Sequence, residues 1–543
     1  MKISEEMLQK AFDEISEENI RTIRDAYNKI QRWVIADFPK RSAHRYPNKK
    51  AVIFRDLEFN YKQLDELANA FANSLIEMGL KKYDRVAVLA HNTHHQVISW
   101  FGCCKAGAVM VPINYLLRGR DIAYCVNHSE CKYFVVENDL YDLVKDDIDK
   151  MDVEFIWSMI GEKEPPEGFS EFDELLKSSK KEPGTTLNIE DVVQIQYTSG
   201  TETLPKAVML TNQCLISQYV SCIVDGGYED KDIVLHALPL YHCAQQHVFL
   251  TPYIWLGATN ILLYRADPEE MMKAVERFGV NSLFAPPTVW IGMLRHPNFD
   301  NYDLSSLEKC YYGASIMPVE VLKELLSRLP KAKFWNYYGQ TELSPAHTTL
   351  KPEDQLTKPG SAGKGLLNMQ TVLMDDKGNT IEQPGVPGEI CGIGGHVMLG
   401  YFKDYEKTKE AFKYGWFHSG DIGVYDGDLY ITVVDRKKDM IKSGGENVSS
   451  REVEEVIYKD SRVSEVAVIG LPHEKWIEAV TAIVVPKRGE KITEEEIIQL
   501  CRQNLAPFKV PKKVVFVEEL PKTPTGKILK RELRKMYSNL YGG

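Results

Sequence analysis

Short apolar runs alternate along the chain with stretches whose apolar positions recur at helical spacing, the pattern of parallel strands joined by crossover helices. RVAVLA (Arg85 to Ala90), the helical HHQVISWFGCCKAG and AVMVPI (Ala108 to Ile113) form one such unit. YYGASI (Tyr311 to Ile316), PVEVLKELLSRL and KFWNYYGQTE form another, with Pro318 at a helix start, where its missing N–H costs nothing. Loops at the strand ends of such sheets are where ligands are held. The longest apolar region, VFLTPYIWLGATNILLY (Val248 to Tyr264), is broken by Pro252, Gly257 and Asn260. It falls short of the ~20 apolar residues of a membrane helix and predicts buried helix and strand, with no integral membrane segment.

Beyond Asp435 the pattern changes. The charged, Gly-containing connector DRKKDMIKSGGENVSS leads into a helix with Ser449 or Ser450 as N-cap, and a compact α+β pattern follows: VAVIGLP, AVTAIVVP, the helix TEEEIIQLCRQNL and the strand KVVFVEEL. The expected division is 1–434, a hinge at 435–438, and 439–543. No internal repeat or low-complexity segment interrupts it.

At 543 residues, 44% hydrophobic and 26% charged, the chain supports a sizeable core and roughly three to four folding units. A formal net charge of -11 argues against nucleic acid as the main partner, because that binding rests on Lys and Arg neutralising phosphates. The ten cysteines are scattered and, the adjacent Cys103 and Cys104 apart, show no metal or redox spacing. They read as reduced thiols of a cytoplasmic protein. The acidic, amphipathic start MKISEEMLQKAFDEI has neither the basic nor the apolar region of a signal peptide.

Candidate chemistry begins at YTSGTETLPKAVML (Tyr197 to Leu210), where Thr198, Ser199, Gly200, Thr201, Thr203 and Lys206 lie between the β-like runs DVVQIQY and AVML. Hydroxyls and an ammonium in one turn supply donors for phosphate oxygens. The stretch is not a Walker A loop, since no second glycine precedes the lysine and a strand is predicted to follow. Taken alone it also reads as a solvated turn.

Its company decides between the two. The same string followed in order by NYYGQTE, WFHSGD, DRKKDMIKSGGENV and LPKTPTGKILKREL resembles the adenylate-forming superfamily of acyl-CoA synthetases, peptide-synthetase adenylation domains and beetle luciferases, and most resembles fatty-acyl-CoA synthetases. The likeness runs from about Tyr61 to about Arg534. The family's usual loop resembles YTSGTTGLPKGVML, so Glu202 replaces a threonine, and Thr203 and Ala207 replace glycines. A carboxylate ~5 Å from a phosphate costs about 3 kcal/mol per unit charge at an effective dielectric of ~20. Glu202 is therefore expected to point away or to meet a cation, and Thr203, averse to positive φ, to stiffen the loop.

The resemblance implies an α/β fold, with a large N-terminal domain of mixed sheets flanked by helices and a small mobile α+β C-terminal domain. It implies ATP, Mg²⁺ and coenzyme A as cofactor and co-substrates, and these roles. Thr198, Ser199, Gly200, Thr201 and Lys206 grip phosphates. Asn336 bonds the adenine edge, Tyr338 stacks on its face with Gly339 following, and Gly313, Ala314 and Ser315 form the opposite wall. Thr341 contacts the α-phosphate and Glu342 holds Mg²⁺, which takes one or two carboxylates plus phosphate oxygens. Asp421 binds the ribose hydroxyls and Arg436 reaches the nucleotide. Lys438 is the hinge, and Lys442, Ser443, Gly444 and Gly445 line the CoA tunnel. Lys527 places an ammonium between carboxylate and α-phosphate, where charge builds in the transition state.

LPLYHCAQQHVFL resembles the family's pocket segment, which implies that His242 falls near the reacting carboxylate. Gln246 stands where long-chain members often carry an indole gate, so a gate of that type is not expected. Phe249, Tyr253, Trp255 and Trp290 either wall an apolar pocket or pack as ordinary core. The expected activity is a two-step ligation of a fatty acid: acyl-adenylate and pyrophosphate form first, then the thioester with CoA, releasing AMP. Catalytic roles fall to Lys527, Thr198, Glu342 and His242, and a homodimer is the family-level expectation. An enzyme loading a carrier protein, a luciferase-like oxygenase and a non-catalytic nucleotide sensor are the alternatives.

Overall fold

The computed structural model describes residues 4–12, 15–198, 205–315, 317–437, 439–443, 446–522 and 528–542. Both sequence-derived units are present. Strands Arg85–Leu89 and Val109–Pro112 pair in parallel across helix His94–Ala106. That helix starts on Thr93, whose hydroxyl accepts from the Gln96 N–H at 3.2 Å, and stops at Gly107, with φ 76°. Strands Lys309–Gly313 and Lys333–Gly339 likewise run parallel around helix Val319–Arg328, entered through Pro318.

The first unit belongs to an eight-stranded sheet and the second to a nine-stranded one. Between them lies the largest apolar core, in which Val52 and Phe54 of one sheet, Val86 and Val88 of the other, and Ile98 and Phe101 of the helix are all buried. The apolar region after Val248 folds as anticipated into helical segments Ala244–Leu250 and Thr251–Leu256 and the buried strand Thr259–Leu262. Among the described residues no helix is long and apolar enough to cross a membrane.

A third, five-stranded sheet ends with the antiparallel strands Phe417–Tyr425 and Ile431–Arg436. The residues beyond it build their own sheet around the long hairpin Val463–His473/Ile477–Pro486, with its own core of Ile441, Val453, Ile457, Val466, Val480 and Ile497. Ser449 caps helix Ser450–Ile457. Its hydroxyl also donates to the Val434 carbonyl at 2.8 Å, and the Ser450 N–H donates to Asp435 Oδ2 at 2.7 Å, so the connector is bound back on its preceding strand. All ten cysteines are buried free thiols.

Candidate active site

Strands Val192–Thr198 and Lys206–Thr211 are antiparallel neighbours, and their register sets Thr198 opposite Lys206. The turn's expected phosphate ligands Ser199, Gly200 and Thr201, with Glu202 and Thr203, lie outside the described residues. Its two flanks are held by the ladder, and the Thr198 hydroxyl donates to the Lys206 carbonyl at 3.5 Å. The Lys206 ammonium sits 5.1 Å from the centre of the Tyr401 ring, a cation–π contact. Strand Gly400–Tyr401 pairs beside Lys206–Thr211, which fixes that ring in place.

The Tyr401 hydroxyl donates to Glu342 Oε1 at 2.9 Å. Burial, and then the Glu342 charge, push the Tyr401 phenol well above its ordinary range, so it remains a proton donor. Lys206, Tyr401 and Glu342 thus form one chain from the phosphate turn to the expected metal carboxylate. Sequence reading missed Tyr401, because an aromatic in an apolar run reads as core.

Glu342 lies in the short turn Thr341–Leu343 after strand Lys333–Gly339, and its carbonyl accepts from the Met398 N–H at 2.8 Å. Only glycine fits at 339, since a Cβ there would stand 2.0 Å from the Pro345 carbonyl oxygen. The buried Thr341 hydroxyl shares a hydrogen bond with Cys243 Sγ at 3.1 Å. Burial pushes that thiol up to about 12, so it is uncharged. Cys243 is a second residue that sequence reading did not single out. Its neighbour His242 accepts the Ala244 N–H on Nδ1 at 3.2 Å, which places the proton of a neutral ring on Nε2. These contacts bring His242, Thr341, Glu342 and Lys206 into one site.

At the expected nucleoside end, Asp421 and Arg436 are cross-strand partners. Arg436 Nε lies 3.0 Å from Asp421 Oδ1, and the Tyr338 hydroxyl donates to Oδ2 at 2.7 Å. Asn336 Nδ2 donates to the Ser361 carbonyl at 2.9 Å. At Gly313 the missing side chain makes room for the Tyr337 carbonyl of the next strand, from which any Cβ would stand only 2.5 Å, while Ala314 and Ser315 are exposed.

In the C-terminal part, Lys442 is exposed, with its N–H donating to Glu478 Oε2 at 2.7 Å, and Ser443 is buried opposite Glu446. Lys438, Gly444, Gly445 and Lys527 lie outside the described residues; Lys522 and Ile528 form an isolated antiparallel bridge.

Of the four aromatics weighed as pocket walls, Phe249, Tyr253 and Trp290 are buried packing residues, while Trp255 is half-buried and also borders a cavity with Arg45 and Leu256. Phe249 stacks on Phe284 at 4.6 Å and Tyr253 on Tyr228 at 4.4 Å. Buried Trp290 donates to the Tyr311 carbonyl at 3.1 Å, and Trp255 stacks on Phe38 at 4.5 Å.

The donor set fits Mg²⁺. Glu342 would supply one carboxylate, and among the described residues no cluster of three or more His, Cys, Asp or Glu forms a protein cage. An ion bound that way takes its remaining ligands from phosphate oxygens and water.

Residues 39–402 match the AMP-binding enzyme family and residues 452–527 match the AMP-binding enzyme C-terminal domain. A feruloyl-CoA synthase of Amycolatopsis sp is 34% identical over 505 residues, covering 93% of this chain and 99% of the relative. A long-chain-fatty-acid–CoA ligase of Bacillus subtilis (strain 168) is 32% identical over 534 residues, covering 93% and 94%. The crystal structure of ATP-bound MatB from Rhodopseudomonas palustris superposes with a TM-score of 0.84 at 28% identity, covering 93% of this chain and 99% of that one. The chain belongs to the AMP-binding enzyme family, and its fold is that of the adenylate-forming enzymes.

Proposed function

We propose that this ATP-dependent, AMP-forming acid–thiol ligase activates a carboxylic acid with an uncharged aliphatic tail, a fatty acid in the broad sense, and transfers it to coenzyme A. The acid–thiol ligase activity itself follows from the family and from relatives that are CoA ligases. Those relatives take both aryl and long-chain acids, so their names do not choose the acid. An uncharged tail is supported by LPLYHCAQQHVFL, which offers no Lys or Arg to a second carboxylate.

The observation that carries the mechanism is the Lys206–Tyr401–Glu342 chain beside Thr341 and His242. In the first step an acid oxygen attacks the α-phosphorus and the bond to pyrophosphate breaks. Thr198, Thr341 and Lys206, with Ser199, Gly200 and Thr201, hold phosphate oxygens. Asn336, Tyr338 and Gly339 with Gly313 to Ser315 hold the base, and Asp421 with Arg436 holds the ribose. Mg²⁺ held by Glu342 would neutralise phosphate charge. Lys527 stabilises the negative charge at the bridging oxygen. In the second step the CoA sulfur attacks the acyl carbonyl and AMP leaves.

A cation at the bridging oxygen and a thiol at the carbonyl cannot occupy one place. The reading therefore includes a lid, 439–543, turning about 435–438 so that Lys438 to Asn447 replaces Lys527. The separate C-terminal core supports it. Cytoplasmic location is part of the same proposal, supported by ten free thiols.

Pyrophosphate release with ATP and Mg²⁺, across short, medium, long and aromatic acids, with and without CoA, tests the reading. Acid-dependent release with CoA-dependent AMP formation is expected, reduced ~10²–10³-fold in Lys527→Ala. ATP binding without release for any acid would defeat it.

A further inference from the structure

Alternate residues of a strand share a face, so Gln196 and Gln194 continue inward on the face that carries Thr198. Both glutamines are buried where a buried strand is ordinarily apolar. Facing them is Ala244–Leu250, wound with π-helical spacing, a geometry frequent at functional sites. It presents Gln245, Gln246 and His247, all buried. The Gln246 N–H donates to the His242 carbonyl at 3.3 Å, so Gln246 lies one turn inward of His242.

These side chains bind one another. Gln194 Nε2 donates to Gln246 Oε1 at 3.1 Å, and the His247 Nε2–H donates to Gln194 Oε1. The Tyr219 hydroxyl donates to His247 Nδ1 at 2.7 Å, and Gln196 Nε2 donates to the Tyr241 carbonyl at 3.1 Å. Thr251 Oγ1 donates to the Gln246 carbonyl at 2.9 Å. On the other side, Gln245 Nε2 donates to His236 Nδ1 at 2.7 Å, and the His236 ring bonds Asn260 Oδ1 at 2.9 Å, which reaches the nine-stranded sheet.

We infer that Gln246, braced by Gln194 and His247, is the inner limit of the acid site, so that the acid is compact: a short-chain fatty acid. The inference rests on the ligase reading and narrows it. A long alkyl chain passing this point would separate amide from amide and amide from imidazole, leaving dry polar groups with no partner, and an alkyl chain offers nothing to replace those bonds. A compact acid ends before them.

The experiment compares kcat/KM of the full-length protein for butanoate, benzoate, octanoate and hexadecanoate, read by pyrophosphate release with ATP, Mg²⁺ and CoA, in the wild type, Gln246→Ala and Gln246→Asn. The wild type is expected to favour butanoate over hexadecanoate by ~10²-fold or more. Gln246→Ala should raise the hexadecanoate-to-butanoate ratio by at least ~10-fold, and Gln246→Asn should raise it less. The wild-type profile needs no variant to fold. Hexadecanoate used as well as the short acids by the wild type would overturn the inference while leaving the ligase standing, as would an unchanged ratio in an active Gln246→Ala. No release for any acid would overturn the ligase reading and this inference with it.

Discussion

The hydroxyl of Tyr401 donates to Glu342 Oε1 at 2.9 Å, while the face of the same ring carries the Lys206 ammonium 5.1 Å from its centre. One buried side chain therefore aims the expected metal carboxylate and seats the phosphate-turn lysine. Removing only the hydroxyl, in Tyr401→Phe, keeps the ring under Lys206 and frees the carboxylate. Hydrogen bonds to charged groups contribute about 1.5–3 kcal/mol, so the half-saturating Mg²⁺ concentration for pyrophosphate release should rise by about tenfold or more. A Mg²⁺ titration identical to that of the wild type would refute the positioning role.

Cys243 and Thr341 make a subtler pair. The thiol touches the hydroxyl expected to meet the α-phosphate, at 3.1 Å, and both groups are buried. Cys243→Ala should lower kcat about fivefold, the equivalent of one neutral hydrogen bond of about 1 kcal/mol, with the KM for ATP nearly unchanged. Cys243→Ser should restore most of it. Steady-state kinetics decides; equal loss in both variants would mean that packing alone is at stake.

The phosphate turn is expected to tolerate its unusual residues. Thr198 and Lys206 are set by strand register on either side of Glu202 and Thr203, so their positions do not depend on the turn's composition. The double variant Glu202→Thr with Thr203→Gly should therefore change kcat for pyrophosphate release by less than about tenfold, since the ladder already holds both flanks. A rise of several orders of magnitude would show that these two residues hold the enzyme back.

Four buried histidines give stability a pH dependence. Burial depresses His247 and His347 to about 3 and His236 and His396 to about 4, from 6.5. The unfolded chain binds protons below about pH 6.5 that the folded chain refuses. The stability is thus fully present above that pH and is lost on acidification towards the folded values, by about 1.4 kcal/mol per pH unit for each histidine. Thermal unfolding followed from about pH 7.5 to about pH 5 should show a midpoint falling steadily below about pH 6.5. A flat profile across that range would mean that the rings are protonated in the folded protein.

Much of the architecture was legible because it is local. Periodicity announced the parallel units around His94–Ala106 and Val319–Arg328, and Pro318 and Ser449 marked helix starts where they occur. A strand after the phosphate turn was anticipated from AVML and is present as Lys206–Thr211. The roles of Phe249, Tyr253 and Trp290 were not legible, because an apolar residue on one face of an element gives the same signal whether a ligand or another ring covers it. Stacking on Phe284 and Tyr228, and the Trp290 bond to Tyr311, decide for core.

Sequence by itself determined which short segments become strand or helix and which turns are expected to carry phosphate-, metal- and ribose-binding chemistry, since propensity, caps and motifs act over a few residues. Only the tertiary structure decided what meets what. Tyr401 and Glu342 are 59 residues apart, Cys243 and Thr341 98, and Gln194 and Gln246 52, and nothing in either partner's neighbourhood names the other. Those pairs arise because strand register and the packing of two sheets on shared helices set side chains from distant segments within hydrogen-bonding distance, and a buried polar group is stable only where it finds such a partner.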